Sequence, residues 1–324
     1  MIPKPLRILL ISDGRPGHEK QSLAMVEAFS RLTLVETRLF RIPEGRPFAL
    51  LSFLDSIRAS FSPQLSGKIL KQYGWSEEKF TPDLVIAAGS HTHGALLLFG
   101  RHFKAKTLVC MTPGLFVRSC VDLVLSPRHD GLKEEKNIWI TLGPPCKLGD
   151  SGEKKAGQGL ILIGGIDPSS HFWENEKLME QVKSLLEKKE ITNWIISSSP
   201  RTPEETEKSL ELLSMENSRV SFIPFSKTAK GWVEEAYASS EEAWITADSI
   251  SMVYEALTAG CRVGVLPVQW RKKENKFQKS LNFLHGAGWI RYPGERDENH
   301  KNLPAFDEAG RAAREALRRW WKKN

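Results

Sequence analysis

A short segment near the amino end of the chain contains the residue types of a proton-transfer site. It reads Asp13-Gly14-Arg15-Pro16-Gly17-His18-Glu19. His18 opens a predicted helix, and because imidazole has a pKa near neutrality, it suits a base that takes a proton from a hydroxyl group. We therefore select His18 and Asp13 as catalytic candidates, with Arg15 and Gly17 as contacts to an acceptor. A simple turn followed by an exposed histidine explains the segment equally well.

A second polar group lies in the segment 244–256. At helical spacing Asp248, Ser251 and Glu255 share one face. N–H groups at the start of this predicted helix suit a diphosphate, and Glu255, one turn further along, suits the two hydroxyls of a ribose. A helix capped by an aspartate and carrying a solvated glutamate is the alternative. The nucleotide-binding candidates here are Thr246, Asp248, Ser249, Ser251 and Glu255.

Two other loops add candidates for the same ligand. Gly164 and Gly165 permit close backbone approach, and Arg201, preceded by Ser199, supplies a permanent cation for phosphate. Each loop is unremarkable by itself. Their common position after predicted strands makes them nucleotide-binding candidates.

Four further residues are candidate contacts to a sugar or an acceptor. Asn275 and Gln278 share a helix face, and neutral amides suit sugar hydroxyls. His129 and Asp130 follow a predicted strand and add a polar pair. An ordinary surface helix and a simple turn are the respective alternatives.

The sequence indicates neither a metal site nor a cofactor fingerprint. His91 and His93 lie two residues apart, but no third ligand accompanies them. The four cysteines have no C-x-x-C spacing, so we expect reduced thiols. The glycines around Arg15 match neither G-x-G-x-x-G nor a P-loop. We expect no metal and no bound cofactor.

The candidate residues follow apolar runs that alternate with helical patterns. The predicted strands are 6–12, 84–88, 107–111 and 121–125 in the first half, and 160–163, 194–197, 220–223, 243–246 and 263–266 in the second. This alternation is typical of doubly wound parallel sheets, which bind ligands beyond the carboxyl ends of their strands. We expect an α/β protein with two such domains.

The same pattern predicts where the domains divide. We expect an acceptor-side domain at 1–146, a linker at 143–158 leading into a nucleotide-sugar-side domain at 147–304, and a basic amphipathic helix at 305–324. The first helix is predicted to bury Leu23, Val26 and Phe29. The last helix has an apolar stripe that suits packing across the domain junction or lying on an anionic membrane; its members are Ala309, Ala313, Leu317 and Trp320.

Charge and hydropathy narrow the class of protein. The 324 residues have a net charge of +7, much of it in the segment 318–323. No helix-turn-helix, zinc finger or RRM signature is present, so no specific nucleic acid is expected. The apolar run 6–11 is too short for a secretory leader or a membrane span. We expect a cytoplasmic protein, held peripherally at the inner face of the membrane if the basic end binds lipid.

Several motifs in one order resemble the bacterial branch of the elongated-mitochondria, or mitochondrial fission, protein family. They are Asp13 to Ser22, Ser126 to Gly131, Arg201-Thr202-Pro203, Thr246 to Met252 and Lys276-Phe277. That family resembles GT-B glycosyltransferases, which implies two Rossmann-like domains facing across a cleft. The loop 89–92 departs from the pattern, because it lacks the basic residue expected after its glycine.

The second half is also similar to the donor domain of the lipid-linked N-acetylglucosaminyl transferase of peptidoglycan synthesis. This similarity implies that Glu255 binds ribose, that Ser249 and Ser251 bind phosphate, and that Gln278 contacts a hexose. It places His18 where such enzymes keep a base-like histidine.

Together these observations predict a metal-independent, inverting glycosyltransferase. Its substrate is expected to be a nucleotide-sugar donor, and its acceptor a glycolipid of cell-envelope synthesis. A nucleotide-sugar epimerase of the same fold is one alternative. A non-catalytic adaptor that binds a membrane or protein partner is the other.

Overall fold

The computed structural model describes residues 5–43, 54–55, 57, 63–76, 79–148, 153–187, 190–295 and 303–321. The chain divides into two compact units. Unit 1 consists of Met1–Lys147 and Asp307–Asn324, and unit 2 of Leu148–Phe306. The segment that the sequence pattern set apart at 305–324 therefore returns to the first unit.

Unit 1 is built on a parallel sheet of six strands. The strands are β1 (Leu6–Ser12), β2 (Val35–Arg41), β3 (Leu84–Ala88), β4 (Lys106–Cys110), β5 (Leu123–Pro127) and β6 (Ile138–Thr141). Their order across the sheet is β2-β1-β3-β4-β5-β6. The helices between them are α1 (Pro16–Ser30), α2 (Pro63–Gln72), α3 (His93–Phe103) and α4 (Leu115–Cys120).

Unit 2 repeats this architecture. Its strands are β7 (Lys155–Leu162), β8 (His171–Phe172), β9 (Asn193–Ser197), β10 (Val220–Ile223), β11 (Ser240–Thr246), β12 (Arg262–Leu266), β13 (Gln269–Trp270) and β14 (Ile290–Arg291). The main parallel sheet has the order β10-β9-β7-β11-β12-β14, and β8 pairs with β13. Its helices are α5 (Asn175–Leu186), α6 (Glu204–Glu216), α7 (Trp232–Ser239), α8 (Ile250–Thr258) and α9 (Lys276–Gly286).

The last helix, α10 (Glu308–Trp320), packs on unit 1. Its apolar stripe joins the core that α1 forms on one face of the sheet. Glu308, only 2% exposed, accepts a hydrogen bond from the backbone N–H of Leu142 at 2.7 Å and pairs with Arg311. Of the four members of the predicted stripe, Ala309, Ala313 and Leu317 are at most 4% exposed and Trp320 is half-buried, so the stripe packs into the core of unit 1. Ala312 and Ala316 are fully buried beside them.

Helices cover both faces of each sheet, which explains why the central strands are mostly apolar. In β1 only Arg7 is partly exposed. Continuous apolar runs are the mark of parallel strands buried on two sides. The predicted strands 6–12, 84–88 and 220–223 match the observed bounds, and the two Rossmann-like domains are confirmed.

The short strands β6, β8, β13 and β14 were not predicted, and three further details differ from the prediction. The polar segment Val35–Arg41 forms an edge strand in which Phe40 alone is buried, so it lacks the apolar signature. Strand β7 begins at Lys155, inside the predicted linker. Of the three side chains predicted to be buried in α1, Phe29 is buried and Val26 is half-buried, but Leu23 is 50% exposed, because the helix buries Met25 and Ala28 instead.

In each sheet the chain adds strands to one side of its first strand and then crosses to the other side. This switch lies between β1 and β3 in unit 1, and between β7 and β11 in unit 2. Loops leave the switch point in opposite directions, which opens a crevice at the carboxyl edge of the sheet. None of the helices within the described ranges has the length and apolar composition needed to span a bilayer.

Candidate functional site

The switch point of unit 1 holds a hydrogen-bonded carboxylate and imidazole. Asp13 follows β1, and Nδ1 of His18 lies 2.9 Å from its Oδ2 and 3.2 Å from its Oδ1. The Asp13 side chain is 7% exposed and that of His18 is 19% exposed. Because the carboxylate accepts the Nδ1 proton, this geometry leaves Nε2 as the basic nitrogen. The structure thus brings the two catalytic candidates together.

Gly89, which follows β3 on the other side of the switch point, packs against the imidazole. A Cβ atom at this position would lie 2.3 Å from Nδ1 of His18. The φ angle of +89° also favours glycine. The backbone after β3 therefore packs against the ring that Asp13 holds through Nδ1.

A second histidine lies beside this pair. His93 is the first residue of α3 and is 9% exposed. Burial, and then the charge of His18, lowers its pKa from 6.5 to about 4. His93 is therefore neutral near pH 7. In the described part of the chain, no group of three His, Cys, Asp or Glu residues could hold a metal ion, so His91 and His93 gain no third ligand there.

The remaining residues of the first motif support the turn. The backbone N–H of Arg15 donates to Asp13 Oδ1 at 3.2 Å, and its guanidinium lies 3.8 Å from Oδ2. Gly17 lies in the first turn of α1, where a Cβ would meet no atom within 4 Å. Ser12 donates to Glu19, which sequence reasoning did not select although it stands in the same motif.

A hydroxyl cluster lies at the carboxyl ends of β4 and β5 in the same unit. Thr112 donates to Asp130 Oδ2 at 2.6 Å and lies 2.8 Å from the Ser126 hydroxyl. His129 Nε2 is 3.6 Å from Asp130 Oδ1. Before Thr112, Met111 has a φ of +82°, which a side-chain-bearing residue rarely adopts. The predicted His129–Asp130 pair is thus part of a larger polar group.

In unit 2, Asp248 organises the loops at the switch point. Its side chain is 2% exposed and its Oδ2 accepts hydrogen bonds from Arg201 at 2.8 Å and from the N–H of Gly165 at 3.1 Å. Oδ1 is buried without a hydrogen-bond partner among the described residues. Arg201 is therefore ion-paired, and its charge is partly neutralised before any anion arrives.

The two glycines after β7 are required by close packing within the protein. A Cβ on Gly164 would lie 2.2 Å from Asp248 Oδ2, and one on Gly165 would lie 2.1 Å from the carbonyl of Arg201. Side chains complete the loop: Ser199 donates to the Gly164 carbonyl at 2.8 Å, and Thr246 accepts from the Gly164 N–H at 2.7 Å. Thr246 is fully buried, so its hydroxyl holds the loop from the protein interior.

The start of α8 faces this loop. Ser249 is the N-cap residue, its N–H donates to the Thr246 carbonyl, and its hydroxyl donates to Asp248 Oδ2. The N–H groups of Ile250 and Ser251, in the first turn, have no acceptor within a regular helix. Ser251 is exposed and Glu255 is half-buried one turn further along.

Asn275 and Gln278 form a reciprocal cap at the start of α9. Asn275 Oδ1 accepts from the N–H of Gln278 at 2.8 Å, and Gln278 Oε1 accepts from the N–H of Asn275 at 2.9 Å. Both amide oxygens thus stabilise the helix end. The N-x-x-Q spacing was the sequence signal for this cap, which the sugar-contact hypothesis overlooked.

The fold is similar to those of several solved proteins. A Listeria monocytogenes protein described as a UDP-N-acetylglucosamine 2-epimerase has a TM-score of 0.57 and 14% identity, over 97% of this chain and 95% of its own. UDP-GlcNAc 2-epimerase from Methanocaldococcus jannaschii has a TM-score of 0.53 and 14% identity, over 97% and 99%. Phytolacca americana UGT2, complexed with UDP-2fluoro-glucose and pterostilbene, has a TM-score of 0.50 and 10% identity, over 98% and 90%.

These likenesses confirm the fold, which is that of GT-B glycosyltransferases and UDP-GlcNAc epimerases. No curated protein sequence matches the chain. The family model for mitochondrial fission ELM1 proteins matches residues 16–320, which is nearly the whole sequence and includes all the motifs described above except the first three residues of the first motif, Asp13, Gly14 and Arg15. The chain therefore belongs to the mitochondrial fission ELM1 family.

Proposed function

We propose that this protein is a metal-independent, inverting glycosyltransferase that uses a nucleotide-activated sugar. The observation that carries the proposal is the pair formed by Asp13 and His18. A buried carboxylate that holds Nδ1 orients the ring and stabilises the imidazolium that forms when Nε2 takes a proton. The acceptor hydroxyl loses its proton to Nε2, and its oxygen attacks the anomeric carbon. The bond from that carbon to the phosphate oxygen breaks, and the nucleoside diphosphate leaves with the electron pair.

Unit 2 supplies the proposed nucleotide site. The N–H groups of Ile250 and Ser251 receive the diphosphate at the positive end of α8. Glu255 accepts hydrogen bonds from the ribose hydroxyls. Since Asp248 neutralises part of the charge on Arg201, we assign most of the phosphate affinity to the backbone N–H groups. UDP-2fluoro-glucose, named for the Phytolacca protein, is a ligand of this class.

The proposed acceptor is a membrane glycolipid, used at the inner face of the membrane. The hydroxyl cluster of Thr112 and Asp130 lies at the same sheet edge as His18 and suits a sugar hydroxyl. An exposed apolar side chain adjoins it, since Met111, directly before Thr112, is 38% exposed. A polar group beside apolar surface fits an amphiphilic molecule better than a free sugar.

The test separates nucleotide binding from catalysis. Calorimetry with UDP, GDP, ADP and CMP, followed by assays of nucleotide release from the matching sugars with a bacterial lipid extract, measures both steps. Ser251→Glu is expected to abolish binding by repelling the diphosphate while stabilising the helix start. Ser251→Gln is the neutral control of equal size.

His18→Gln is expected to bind nucleotide normally and to release none. Wild-type protein that binds no nucleotide overturns the transferase proposal and leaves the adaptor alternative. Release that is unchanged in His18→Gln removes the assigned base.

A nucleotide-sugar epimerase is a second candidate, favoured by the neighbouring His93. Epimerisation requires groups that remove and return protons, and a neutral imidazole beside His18 provides another. Two of the similar structures carry an epimerase name. NMR of the donor sugar without acceptor decides, because only the epimerase converts it into its epimer.

A further inference from the structure

A groove of about 1060 Å³ lies at the amino edge of the unit 1 sheet, opposite the edge that carries Asp13 and His18. It is bounded by α4 and the end of α10. Five cations and two acids line it. The cations are Lys106, Arg118, Lys136, Arg318 and Arg319, and the acids are Asp122 and Glu135.

The pairing of these charges leaves the groove basic. Asp122 lies 2.8 Å from Lys106. Both arginines at the end of α10 share Glu315, which lies outside the lining, and the side chain of Arg318 remains 64% exposed. A surface with this excess of positive charge attracts anions.

The rim of the groove also has apolar side chains turned to solvent. Leu115, which lines the groove, is 75% exposed, and Phe116, next to it at the start of α4, is 55% exposed. Trp320 lines the other side. Large apolar groups beside cations are the composition with which peripheral proteins bind anionic lipid surfaces, since cations contact headgroup phosphates and apolar groups enter the acyl boundary.

An equally exposed apolar pair elsewhere shows that exposure alone does not make such a surface. Leu212 and Met215 of α6 are 59% and 79% exposed, but that helix begins with Glu204, Glu205 and Glu207. Anionic lipid repels this acidic surface. Charge therefore distinguishes the two apolar pairs.

We propose that α4, the groove and the end of α10 form a docking surface for an anionic lipid bilayer. Leu115 and Phe116 enter the interface, and Arg118 and Lys136 contact the headgroup phosphates. This goes beyond the proposed function, and neither the surface nor its test depends on the transfer reaction. It also reassigns the membrane contact from the apolar stripe of α10, which is buried.

Co-sedimentation of the full chain with vesicles tests the proposal. The protein is expected to bind vesicles of equal parts phosphatidylcholine and phosphatidylglycerol and not to bind vesicles of pure phosphatidylcholine. High salt is expected to release it from the anionic vesicles. Leu115→Ser with Phe116→Ser, and separately Arg118→Glu with Lys136→Glu, are expected to weaken binding roughly tenfold or more. Leu212→Ser with Met215→Ser is the matched control and is expected to bind like wild type.

Melting curves and UDP calorimetry on every variant distinguish this proposal from the proposed function. Variants that lose vesicles while keeping their melting temperature and nucleotide response support the docking surface. Wild-type protein that does not bind anionic vesicles overturns the proposal. An α6 control variant whose vesicle binding is weakened as much as that of the groove variants also overturns it. Binding of polyglutamate without binding of vesicles also overturns it and assigns the groove to an acidic protein partner.

Discussion

Gly89 lies so close to His18 that a Cβ atom would stand 2.3 Å from the imidazole Nδ1. The two residues are far apart in sequence: His18 lies in the first turn of α1, which follows β1, and Gly89 directly follows β3. Asp13 holds the same ring through Nδ1. The orientation of the proposed base is therefore set by contacts from both sides of the switch point.

Gly89→Ala is expected to destabilise unit 1 by about 1–3 kcal/mol, because the methyl group clashes with the ring and the left-handed backbone becomes strained. Relief of this clash is also expected to move the His18 ring and to lower the rate of nucleotide release. Urea unfolding and the release assay measure the two effects. Gly17→Ala is the control, since its Cβ meets nothing within 4 Å. Equal stability of the two variants would contradict the packing argument.

Asp13→Asn is expected to lower the turnover rate by about 10²–10⁴-fold, because the amide no longer fixes the correct tautomer or stabilises the imidazolium. The dissociation constant for nucleotide is expected to stay the same, since the nucleotide is assigned to unit 2. Steady-state kinetics and calorimetry check the two expectations. Arg7→Gln, at a side chain 42% exposed near the amino end of β1, is the control. A drop in nucleotide affinity equal to the drop in rate would argue against the role of Asp13.

His93 predicts a pH dependence of stability. Burial, and then the charge of His18, lowers its pKa in the folded protein from 6.5 to about 4. Between these values the unfolded chain binds a proton that the folded chain does not, so the free energy of unfolding decreases as the pH falls from 6.5 to 4. The total change is on the order of 3 kcal/mol.

Urea titrations of wild type, His93→Asn and the exposed-site control His91→Asn measure this dependence. His93→Asn is expected to show a flatter profile of unfolding free energy above pH 4.5, and His91→Asn is expected to show the wild-type slope. Parallel profiles for wild type and His93→Asn would refute the assignment.

A second loss of stability is expected at lower pH, from Glu315. The hydrogen bond from Arg318 lowers the pKa of Glu315 from 4.5 to about 2, so the stability from that carboxylate disappears as the pH falls through this window.

Ala313→Asp tests whether α10 is part of the unit 1 core. Ala313 is fully buried against α1 and the sheet, so a carboxylate there is expected to cost about 3 kcal/mol or more. Limited proteolysis is expected to show cleavage in unit 1 before unit 2. Arg314→Asp, at the exposed neighbouring position, places the same charge in solvent and is expected to keep wild-type stability. Similar melting temperatures for the two variants would place α10 outside the core.

Local signals were sufficient for the central strands and for most of the polar loops. Strands such as Leu6–Ser12 are mostly apolar because both faces of a parallel sheet are covered, and consecutive residues must therefore be buried. The helix at the chain end was also recognisable from its period. Asp13, His18 and Asp248 were selected because they follow such strands, where parallel sheets collect their loops.

Contacts between distant segments decided the rest. The edge strand Val35–Arg41 needs only one buried side chain, so its sequence is polar. Gly164 leaves space for the Asp248 carboxylate, and Gly89 leaves space for the His18 ring. The partners of each pair are far apart in sequence, and the crossover connections of the sheet bring their loops together. Ion pairing of Arg201 and burial of the α10 stripe likewise depend on which surfaces meet. A sequence pattern reports how much each residue must be buried, whereas the topology of the sheet determines what it is buried against.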